Sequence, residues 1–488
     1  MQLSTLLAGI DVAAPALDIS GLSLDSRWVN PGDAFVALPG TNSNGLAYLD
    51  DAAAHGAVVA LTEKEPSTPA PLPVVVVPEL RTHLGTLAAR FHGHPDRELT
   101  LLAVTGTDGK TSTAHYIAQA LGELGFPCAV IGTLGAGWPG EQTAEDNGLT
   151  TPDVIGLHRT LARLRAQGAR GVVLEASSHG LSQGRLDGIK IDVAVLTHLS
   201  RDHLDYHGSI EAYAAAKRRL FERSELHTAV LNEDDAFGRD CRTRLAPGVR
   251  ALGYSLQGRA SAALRGRLHR AGPGGLALDV AANGRERRLS TKLAGSFNVS
   301  NLLAALGALL ALGEDLDNAT AALSKVTAVP GRMELFANPN RPLTVVDYAH
   351  TPNALESVLT DFRGYVPGRL WCVLGAMGNR DKGKRPLMAA VAARLSDRII
   401  LTDSIPNDED PALIIEDLSS GLPPGTAAEA IRSREAAIAH ALASAGPNDG
   451  VLITGTGKGN ERSTPDANGR LSYSDHAQVS ACLSKQAR

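Results

Sequence analysis

The chain of 488 residues is too long for one hydrophobic core, so we expect two to four domains. Its composition, 43% hydrophobic and 20% charged, is typical of a globular protein in water. The net charge of -5 gives no reason to expect nucleic acid or a membrane surface as a partner. No apolar run reaches transmembrane length, no basic segment typical of a secretory signal opens the chain, and the four cysteines lack metal-ligand spacing. We therefore expect a cytoplasmic protein without membrane insertion and with reduced thiols.

The first ninety residues alternate between helical and strand-like stretches. Strand-like runs stand at residues 57–61 and 74–77, and an alanine-rich helical stretch precedes the first of them. This alternation predicts a small N-terminal α/β domain. The polar segment 92–97 marks its end, so we place this domain at residues 1–96.

A phosphate-binding loop is predicted next. The apolar run 101–104 leads into the loop 105–111, and helix-compatible residues follow. In such loops glycines let backbone N–H groups face the phosphates, the lysine reaches the outer phosphates, and a hydroxyl suits magnesium. ATP is therefore the first ligand that the sequence predicts. The general pattern has a glycine where this chain has Val104, so the loop is a variant, T-G-T-x-G-K-T.

Two polar clusters follow buried strands in the central region. Glu175 ends the strand-like run 171–174, where a carboxylate beside a phosphate loop suits magnesium. The alternative is a strand that simply ends at the surface. Three histidines and two aspartates fall within residues 197–208, directly after the apolar run 193–196, and a polar surface turn is the alternative there. Lys217, in a helical stretch, would ordinarily be a solvated side chain.

The remaining pattern completes a three-domain α/β prediction. An arginine-rich section near residues 255–292 predicts a small accessory sheet. After residue 330, strands alternate with helices again, which favours parallel sheets with helices on both faces. We therefore predict a central P-loop-type parallel-sheet domain at residues 97–329 and a C-terminal Rossmann-like domain at residues 330–488. Its strand-like runs are residues 343–346, 370–374, 398–401 and 451–454.

In their joint order, these motifs resemble the Mur ligases of peptidoglycan synthesis. The resemblance is greatest to the MurE type, which adds the third amino acid to UDP-N-acetylmuramoyl-L-alanyl-D-glutamate. It spans nearly the whole chain. The segments that carry it are residues 24–27, 31–37, 105–111, 149–152, 175–180, 183–185, 200–208, 216–217, 295–301, 331–334, 347–352 and 379–386.

The resemblance implies an ATP-dependent amide ligase. ATP would phosphorylate the side-chain carboxylate of the D-glutamate, and the amine of an incoming amino acid would displace phosphate from the acyl phosphate. Moving a phosphoryl group between anions requires magnesium and cations that offset the charge. The implied catalytic residues are Lys110, Glu175, His203, Lys217, Arg332 and His350. The implied magnesium residues are Thr111, Glu175, His203 and a carbamylated Lys217.

The resemblance also implies the binding residues for each substrate. Arg332 and His350 would approach the phosphates, Asp347 would hold ribose, and Asn298 and Asn301 would lie near adenine. The other ATP-binding positions are Thr105, Gly106, Thr107, Gly109, Lys110, Thr111 and Ser112. The UDP-muramoyl-dipeptide would contact Ser26, Thr150, Thr151, Ser177, Gln183 and Arg185. The free amino acid would contact Arg380, Ser404, Asn407, Gly457 and Glu461, and we expect a monomer.

The amino-acid pocket departs from the family. Where diaminopimelate-adding enzymes carry Asp-Asn-Pro-Arg, this chain reads Ser-Ile-Pro-Asn at residues 404–407. The family's arginine holds the distal carboxylate of diaminopimelate in a charge-assisted pair, and Asn407 cannot supply that charge. The family's Gly-Lys-Gly-His-Glu reads Gly-Lys-Gly-Asn-Glu at residues 457–461, and His198 stands where asparagine is usual. We therefore expect meso-diaminopimelate to be used poorly, although Arg380, for the α-carboxylate, is kept.

Several alternatives stay open from the sequence. The acceptor is diaminopimelate, if the pocket residues have merely drifted, or lysine, or another amine. The acidic run 408–410 suits either the binding of an ammonium group or a solvated helix start. The chain could be a paralogue that ligates a different amine or substrate for a modified cell wall or a specialised metabolite. A folylpolyglutamate synthase would need a pterin site, against which the UDP-type residues argue. A non-catalytic nucleotide-binding paralogue would not need the retained Lys110, Glu175, His203 and Lys217.

Overall fold

The computed structural model describes residues 1–40, 44–141, 149–455 and 474–485. Its α-helices are α1 Leu3–Leu6, α2 Leu49–Ala54, α3 Leu80–Phe91, α4 Lys110–Glu123, α5 Val154–Ala166, α6 Ser178–Ser182, α7 Leu204–His207, α8 Ile210–Arg218, α9 Ala236–Thr243, α10 Asn298–Ala311, α11 Leu316–Leu323, α12 Pro352–Arg363, α13 Lys384–Leu395, α14 Pro411–Ser419, α15 Arg434–Ser444 and α16 Asp475–Lys485. Its strands are β1 Leu22–Ser23, β2 Ala34–Ala37, β3 Val59–Thr62, β4 Val74–Val76, β5 Thr100–Thr105, β6 Cys128–Gly132, β7 Gly135–Gly137, β8 Gly171–Glu175, β9 Val193–Leu196, β10 Thr228–Asn232, β11 Arg250–Ser255, β12 Leu264–Gly272, β13 Gly275–Ala282, β14 Arg285–Thr291, β15 Glu334–Phe336, β16 Leu343–Asp347, β17 Leu370–Leu374, β18 Arg398–Leu401, β19 Ala428–Ala430 and β20 Gly450–Thr454.

Contacts within the chain define two compact units. Unit 1 comprises residues 1–102, 127–138 and 143–192, and unit 2 comprises residues 103–126, 139–142 and 193–488. These limits differ from the domain boundaries predicted after residues 96 and 329, which stay a prediction. Among the described helices, none combines the length and the apolar character needed to cross a membrane.

Unit 1 opens with a small parallel sheet. Its strands lie in the order β1-β2-β3-β4, with Ala34 opposite Leu22 and Val59 opposite Ala34. Apolar side chains of the strands and of α3, among them Leu61 and Leu84, form one core. The predicted N-terminal α/β arrangement is confirmed. In the same unit β6 runs parallel to β8, and β7 is an antiparallel edge strand.

Unit 2 contains three parallel strands and a three-stranded antiparallel extension. Strands β9, β10 and β11 pair in parallel, and β12, β13 and β14 form a meander that follows them. The meander is the accessory sheet that the arginine-rich section predicted. Helix α10 packs against β10, β11 and α4 with nearly all its side chains buried. Its apolar sequence therefore reflects a helix in contact with protein on several sides.

The second sheet of unit 2 is Rossmann-like, as predicted. Its strands lie in the order β15-β16-β20-β17-β18-β19, and all pairs except β15 with β16 are parallel. The five residues of β17 are buried, because helices cover both faces of such a sheet. The carboxyl ends of the parallel strands share one edge, where ligand sites of open α/β sheets form.

Candidate active site

The phosphate-binding loop joins β5 to α4 in unit 2. Gly106 has φ +145°, and a Cβ atom there would lie 1.8 Å from Thr197 Oγ1. Gly109 has φ +81°, and a Cβ atom there would lie 2.4 Å from Asn301 Oδ1. Both positions therefore require glycine, both for the left-handed backbone and for the close approach of neighbouring side chains.

We expect Gly109→Ala to weaken ADP binding by at least about tenfold, because a side chain at this φ costs about 1–2 kcal/mol before the contact with Asn301 is counted. Titration calorimetry with ADP measures the change. Gly122→Ala is the matched control: Gly122 lies on the same helix, and a Cβ atom there meets nothing within 4 Å. That variant should bind ADP normally and unfold at a slightly higher temperature. Unchanged ADP affinity in Gly109→Ala would contradict the requirement.

Two lysine side chains share one carbonyl oxygen of this loop. Lys110 Nζ donates to the oxygens of Gly106 and Thr107 at 2.9 and 2.7 Å, and Lys217 Nζ donates to the Gly106 oxygen at 2.8 Å. Lys217 is only 1% exposed, so a solvated side chain is the wrong interpretation. Burial, reinforced by the charge of Lys110, holds the pKa of Lys217 well below its usual value. The buried Lys217 amine therefore gives up its proton more readily than an exposed lysine does.

A buried carboxylate brings two predicted histidines together. Asp202 Oδ2 lies 3.4 Å from His203 Nε2 and 3.5 Å from His350 Nε2. Its other oxygen, Oδ1, lies 3.0 Å from Lys384 Nζ. Burial opposes ionisation of Asp202, but the hydrogen bond from His350 and the charges of His203 and Lys384 outweigh it and hold the pKa well below its usual range. Asp202 is 2% exposed, so a polar surface turn is the wrong interpretation of this residue, whereas Arg201, Asp205 and Tyr206 of the same segment are exposed.

His198 has a partner that explains its presence. Its Nε2 lies 3.3 Å from Asp108 Oδ2, and Thr351 Oγ1 donates to the same oxygen at 3.4 Å. Burial works against ionisation of Asp108, but the hydrogen bond and charge of His198 lower the pKa on balance. The sequence did not single out Asp108 or Thr351. Thr351 also caps α12, which fixes its hydroxyl beside the loop.

Arg332 reaches the phosphate-binding loop, as predicted. One of its terminal nitrogens donates to Thr111 Oγ1 at 3.3 Å, and its guanidinium carbon lies 4.4 Å from the centre of the Tyr348 ring. The carboxylate of Asp347 accepts hydrogen bonds from the backbone N–H groups of Met333 and Ala349 at 2.6 and 2.7 Å. Burial raises the pKa of Asp347. Here Asp347 orders the backbone beside Arg332, and its role toward ribose stays a prediction.

The two asparagines predicted near adenine lie at the start of α10. Asn298 Oδ1 accepts hydrogen bonds from Tyr116 Oη at 3.1 Å and from Asn301 Nδ2 at 2.9 Å. Both asparagines are buried against α4, so they fix the helix that begins at the phosphate-binding loop. The sequence did not single out Tyr116. Contact of Asn298 and Asn301 with adenine stays a prediction.

The divergent residues 404–407 pack against the loop that follows β17. Gly378 donates its N–H to the Ile405 oxygen at 2.8 Å and accepts from Asn407 Nδ2 at 2.7 Å. A Cβ atom at Gly378 would lie 1.7 Å from the Pro406 oxygen. Asn407 itself has φ +50°. Ser404 Oγ is buried without a hydrogen-bond partner among the described residues.

The acidic run 408–410 is engaged within the protein. Asp408 accepts from Asn379 Nδ2 at 2.8 Å, and Asp410 caps the first turn of α14. Glu409 accepts two hydrogen bonds from Arg385 at 2.9 and 3.0 Å and one from the backbone N–H of Asn379 at 2.6 Å. The bond from Arg385 is the main cause that lowers the pKa of Glu409 to about 2. The helix-start interpretation holds for Asp410, and the run gives no particular support to an ammonium site.

Arg380 lies in the loop that follows β17, two residues after Gly378. It is exposed, and one of its terminal nitrogens donates to the Asn379 oxygen at 3.3 Å. Its guanidinium is therefore accessible to a small anionic group. Gly457 and Glu461, the other predicted amino-acid contacts, lie outside the described residues.

Glu175 is held by a threonine in unit 1. Its carboxylate accepts the backbone N–H of Thr133 at 2.9 Å and the Thr133 hydroxyl at 3.0 Å. The side chain is 1% exposed, so a strand end at the surface is the wrong interpretation. A Cβ atom at Gly132 would lie 2.1 Å from Glu175 Oε1. The sequence did not single out Thr133, although its place after β6, the parallel neighbour of β8, was an available indication.

The predicted UDP-muramoyl residues form a connected network in unit 1. Thr150 Oγ1 lies 3.2 Å from the Thr133 hydroxyl, and Thr151 Oγ1 lies 2.9 Å from Ser177 Oγ. Arg185 donates to the Thr151 oxygen at 2.6 Å and to Gln183 Oε1 at 2.6 Å. The segments 149–152, 175–180 and 183–185 therefore lie together in unit 1.

A cavity of about 710 Å³ in unit 1 joins Ser26 to this network. Its volume lies within the range of roughly 300–1,000 Å³ that is usual for small-molecule sites. Ser26, Gln183 and Arg185 line it, and their contact with UDP-muramoyl-dipeptide stays a prediction. The sequence did not single out two further lining residues with polar side chains, Tyr48 and Arg81.

The described residues include no cluster of three or more His, Cys, Asp or Glu side chains arranged to hold a metal ion. Of those residue types, the magnesium set predicted above contains only Glu175 and His203. Its other members are Thr111, which offers a hydroxyl oxygen, and Lys217, which offers no oxygen while its amine is unmodified. Magnesium prefers oxygen ligands and retains water, so such a set remains compatible with it.

A nucleotide-type phosphate loop with a buried lysine beside it, followed by a Rossmann-like sheet, fits an enzyme that uses ATP. Three sequence families match the chain in order: the Mur ligase family catalytic domain at residues 18–92, the Mur ligase middle domain at residues 104–309, and the Mur ligase glutamate ligase domain at residues 331–457. The chain belongs to the Mur ligase family, whose members are ATP-dependent amide-bond-forming enzymes.

Named relatives are similar over the full length. A UDP-N-acetylmuramoyl-L-alanyl-D-glutamate–2,6-diaminopimelate ligase of Alkalilimnicola ehrlichii is 44% identical, over 100% of this chain and 99% of that protein. The ligase of the same name from Pseudomonas aeruginosa is 46% identical over 90% of each. A solved structure of a ligase of this name is 34% identical with a TM-score of 0.69, over 100% of this chain and 99% of that one. Mycobacterium tuberculosis folylpolyglutamate synthase, at 18% identity and a TM-score of 0.63 over 76% of this chain and 92% of that one, shares the fold alone.

Proposed function

We propose that this Mur ligase joins an amino acid to the D-glutamate side-chain carboxylate of UDP-N-acetylmuramoyl-L-alanyl-D-glutamate in peptidoglycan synthesis. The convergence of Lys110, Lys217 and Arg332 on the phosphate-binding loop carries the proposal. The relatives named for this substrate, 44–46% identical, support it. The connected network and cavity of unit 1 support a site for the nucleotide-sugar end.

The residues of unit 2 fit the two halves of the reaction. Lys110 and Arg332 offset the charge of the γ-phosphate while a carboxylate oxygen forms the bond to phosphorus and ADP departs. The acceptor nitrogen then forms the C–N bond, the bond from carbon to the phosphate oxygen breaks, and the nitrogen loses a proton. Arg380, exposed at the edge of the C-terminal sheet, suits the α-carboxylate of the acceptor.

Magnesium, when bound, would add positive charge at the phosphates. Thr111, Glu175, His203 and a carbamylated Lys217 would hold it. The buried amine of Lys217, whose pKa is held well below its usual value, supports this assignment, because only an unprotonated amine forms an N–C bond to CO₂, with release of a proton. The product is a carboxylate-like group with the oxygens that magnesium prefers.

We also propose the organisation and location of the enzyme. The family matches at residues 18–92, 104–309 and 331–457 support domains at residues 1–96, 97–329 and 330–488. ATP and a nucleotide-linked precursor are cytoplasmic metabolites, which supports a cytoplasmic enzyme, and we propose that it acts as a monomer. The acceptor stays open between diaminopimelate, lysine and another amine, in a primary peptidoglycan enzyme or a paralogue.

A phosphate-release assay tests the reaction. With ATP, magnesium and UDP-muramoyl-dipeptide, we expect phosphate release that depends on added amino acid and matches the ADP formed. A folate substrate in place of the dipeptide should give none. Absence of amine-dependent phosphate across a full amino-acid panel would support the non-catalytic alternative instead.

A further inference from the structure

Two ion pairs join residues 201–202 to residues 381–384 in unit 2. The cation comes from the first segment in one pair and from the second segment in the other. Arg201 Nε lies 3.4 Å from Asp381 Oδ2, and Lys384 Nζ lies 3.0 Å from Asp202 Oδ1. The first pair is half exposed on the arginine side, whereas the side chains of Lys384 and Asp202 are 7% and 2% exposed. Buried ions are costly unless paired, so the second pair fixes the distance between the two segments.

The residue after Lys384 reaches in another direction. Arg385 is 1% exposed and donates to Glu409, to Asp417 at 2.7 Å and to the Met377 oxygen at 3.2 Å. Glu409 lies two residues after the divergent segment 404–407, and Met377 precedes the glycine that packs on that segment. Two adjacent residues at the start of α13 therefore hold the acceptor-side loops on one side and Asp202 on the other.

Asp202 also contacts both histidines, so its position affects theirs. Its second oxygen faces His203 and His350, at 3.4 and 3.5 Å. His203 has φ +54°, a backbone conformation that a residue other than glycine keeps only when its surroundings hold it. An unbroken series of direct contacts thus runs from the acceptor-side loops through α13 to both histidines.

We propose that Lys384 is a positioning residue for the ligase reaction. Through Asp202 it sets the positions of His203 and His350, and with Arg385 it ties those positions to the loops of the amino-acid site. The inference rests on the proposed function. Lys384 itself touches no reacting atom; its effect depends on the buried carboxylate that it neutralises. A displacement of about 1 Å at a reacting group lowers the rate by about 100-fold, which sets the expected size of the effect.

The first test compares two destabilised variants. Lys384→Met keeps the length of the side chain and removes the charge, and we expect kcat to fall by about 100-fold with the KM for UDP-muramoyl-dipeptide within about twofold of wild type. Leu418→Ala is the matched control, because Leu418 is 0% exposed in the core on α14 and lies outside the ion pair. It should unfold at a lower temperature as well but keep a kcat near wild type. Equal kcat values in the two variants would reduce Lys384 to a purely structural residue and overturn the proposal.

A double-mutant cycle tests whether Lys384 acts through Asp202. We expect Lys384→Met combined with Asp202→Asn to be no slower than Asp202→Asn alone, because the lysine has nothing left to position once the carboxylate is gone. If the two losses multiply instead, Lys384 has an independent role and the proposal is wrong.

Hydrogen exchange supplies a readout that needs no catalysis. The Ser200 N–H donates to Thr107 Oγ1 at 2.9 Å, so its exchange reports the segment that carries Asp202. Lys384→Met should speed exchange around residues 198–203 and 379–384, and Leu418→Ala should not. Unchanged exchange at residues 198–203 in Lys384→Met would contradict the inference even in an inactive preparation. By contrast, a wild-type enzyme without amine-dependent phosphate release would count against the proposed function alone.

Discussion

Lys217→Ala should lower turnover by about 1,000-fold, in the range seen when a group that stabilises developing charge is removed. Lys217 Nζ donates to the Gly106 carbonyl oxygen, which also accepts from Lys110 Nζ. The Lys217 side chain is 1% exposed, and its pKa is held well below the usual value. A protonated ammonium at this place would add a second positive charge beside Lys110. A carbamylated side chain would instead present oxygens to magnesium.

Chemical rescue distinguishes this role from simple packing. Millimolar formate or acetate should restore part of the activity of Lys217→Ala, because a short carboxylate fits the space of the missing carbamate oxygens. Lys325→Ala is the matched control: Lys325 is 62% exposed and pairs with Glu123 at 2.9 Å, so its loss should change neither turnover nor rescue. Steady-state phosphate release and mass spectrometry of the intact protein for the CO₂ adduct measure both effects. Full activity in Lys217→Ala would remove Lys217 from the mechanism.

The second large effect concerns the acceptor. We expect meso-diaminopimelate to be used with a kcat/KM about 10–100-fold below that of the preferred amine, since a hydrogen bond between charged groups contributes about 1.5–3 kcal/mol and about 1.4 kcal/mol is a factor of ten. Asn407 offers no charge, and its amide nitrogen already donates to the Gly378 oxygen at 2.7 Å. A panel of amines under saturating ATP and dipeptide measures the preference.

Two variants sharpen this test. Asn407→Arg with Ile405→Asn should raise the use of meso-diaminopimelate, although arginine at φ +50° gives back about 1 kcal/mol of the gain. Arg380→Ala should instead weaken the binding of every amino acid alike, because it removes the contact to the α-carboxylate that all of them share. Efficient and selective use of meso-diaminopimelate by the wild type would show that the prediction is wrong.

The features that could be predicted from the sequence are those that depend on residues close to one another along the chain. Strands such as Val193–Leu196 and Leu370–Leu374 match their predicted limits, because continuous apolar runs identify buried parallel strands. The phosphate-binding loop and the accessory sheet were predicted for similar local reasons. The three-domain α/β architecture of the family is confirmed by the matches and by the parallel sheets.

Contacts between distant segments could not be predicted from one sequence. Lys384 looks like any lysine at a helix start, yet it is buried against Asp202. Thr133 and Asp108 are ordinary loop residues until parallel strands and a neighbouring turn bring Glu175 and His198 to them. The acidic run 408–410 carried no indication that Arg385, more than twenty positions earlier, would engage it. The burial of a side chain and the identity of its partner depend on the tertiary fold, and one sequence read by itself does not record them.

The close packing of Gly378 on residues 405–407 has a consequence for how acceptor preference could change over time. One glycine exchanges hydrogen bonds with both Ile405 and Asn407 and leaves no room for a side chain against Pro406. The two loops therefore form a single wall of constant span. If these residues line the amino-acid site, as proposed, replacing side chains on the wall would change the acceptor without changing the spacing of the two loops. Acceptors reached by such substitutions would then resemble one another in length and differ in the charge of their far end.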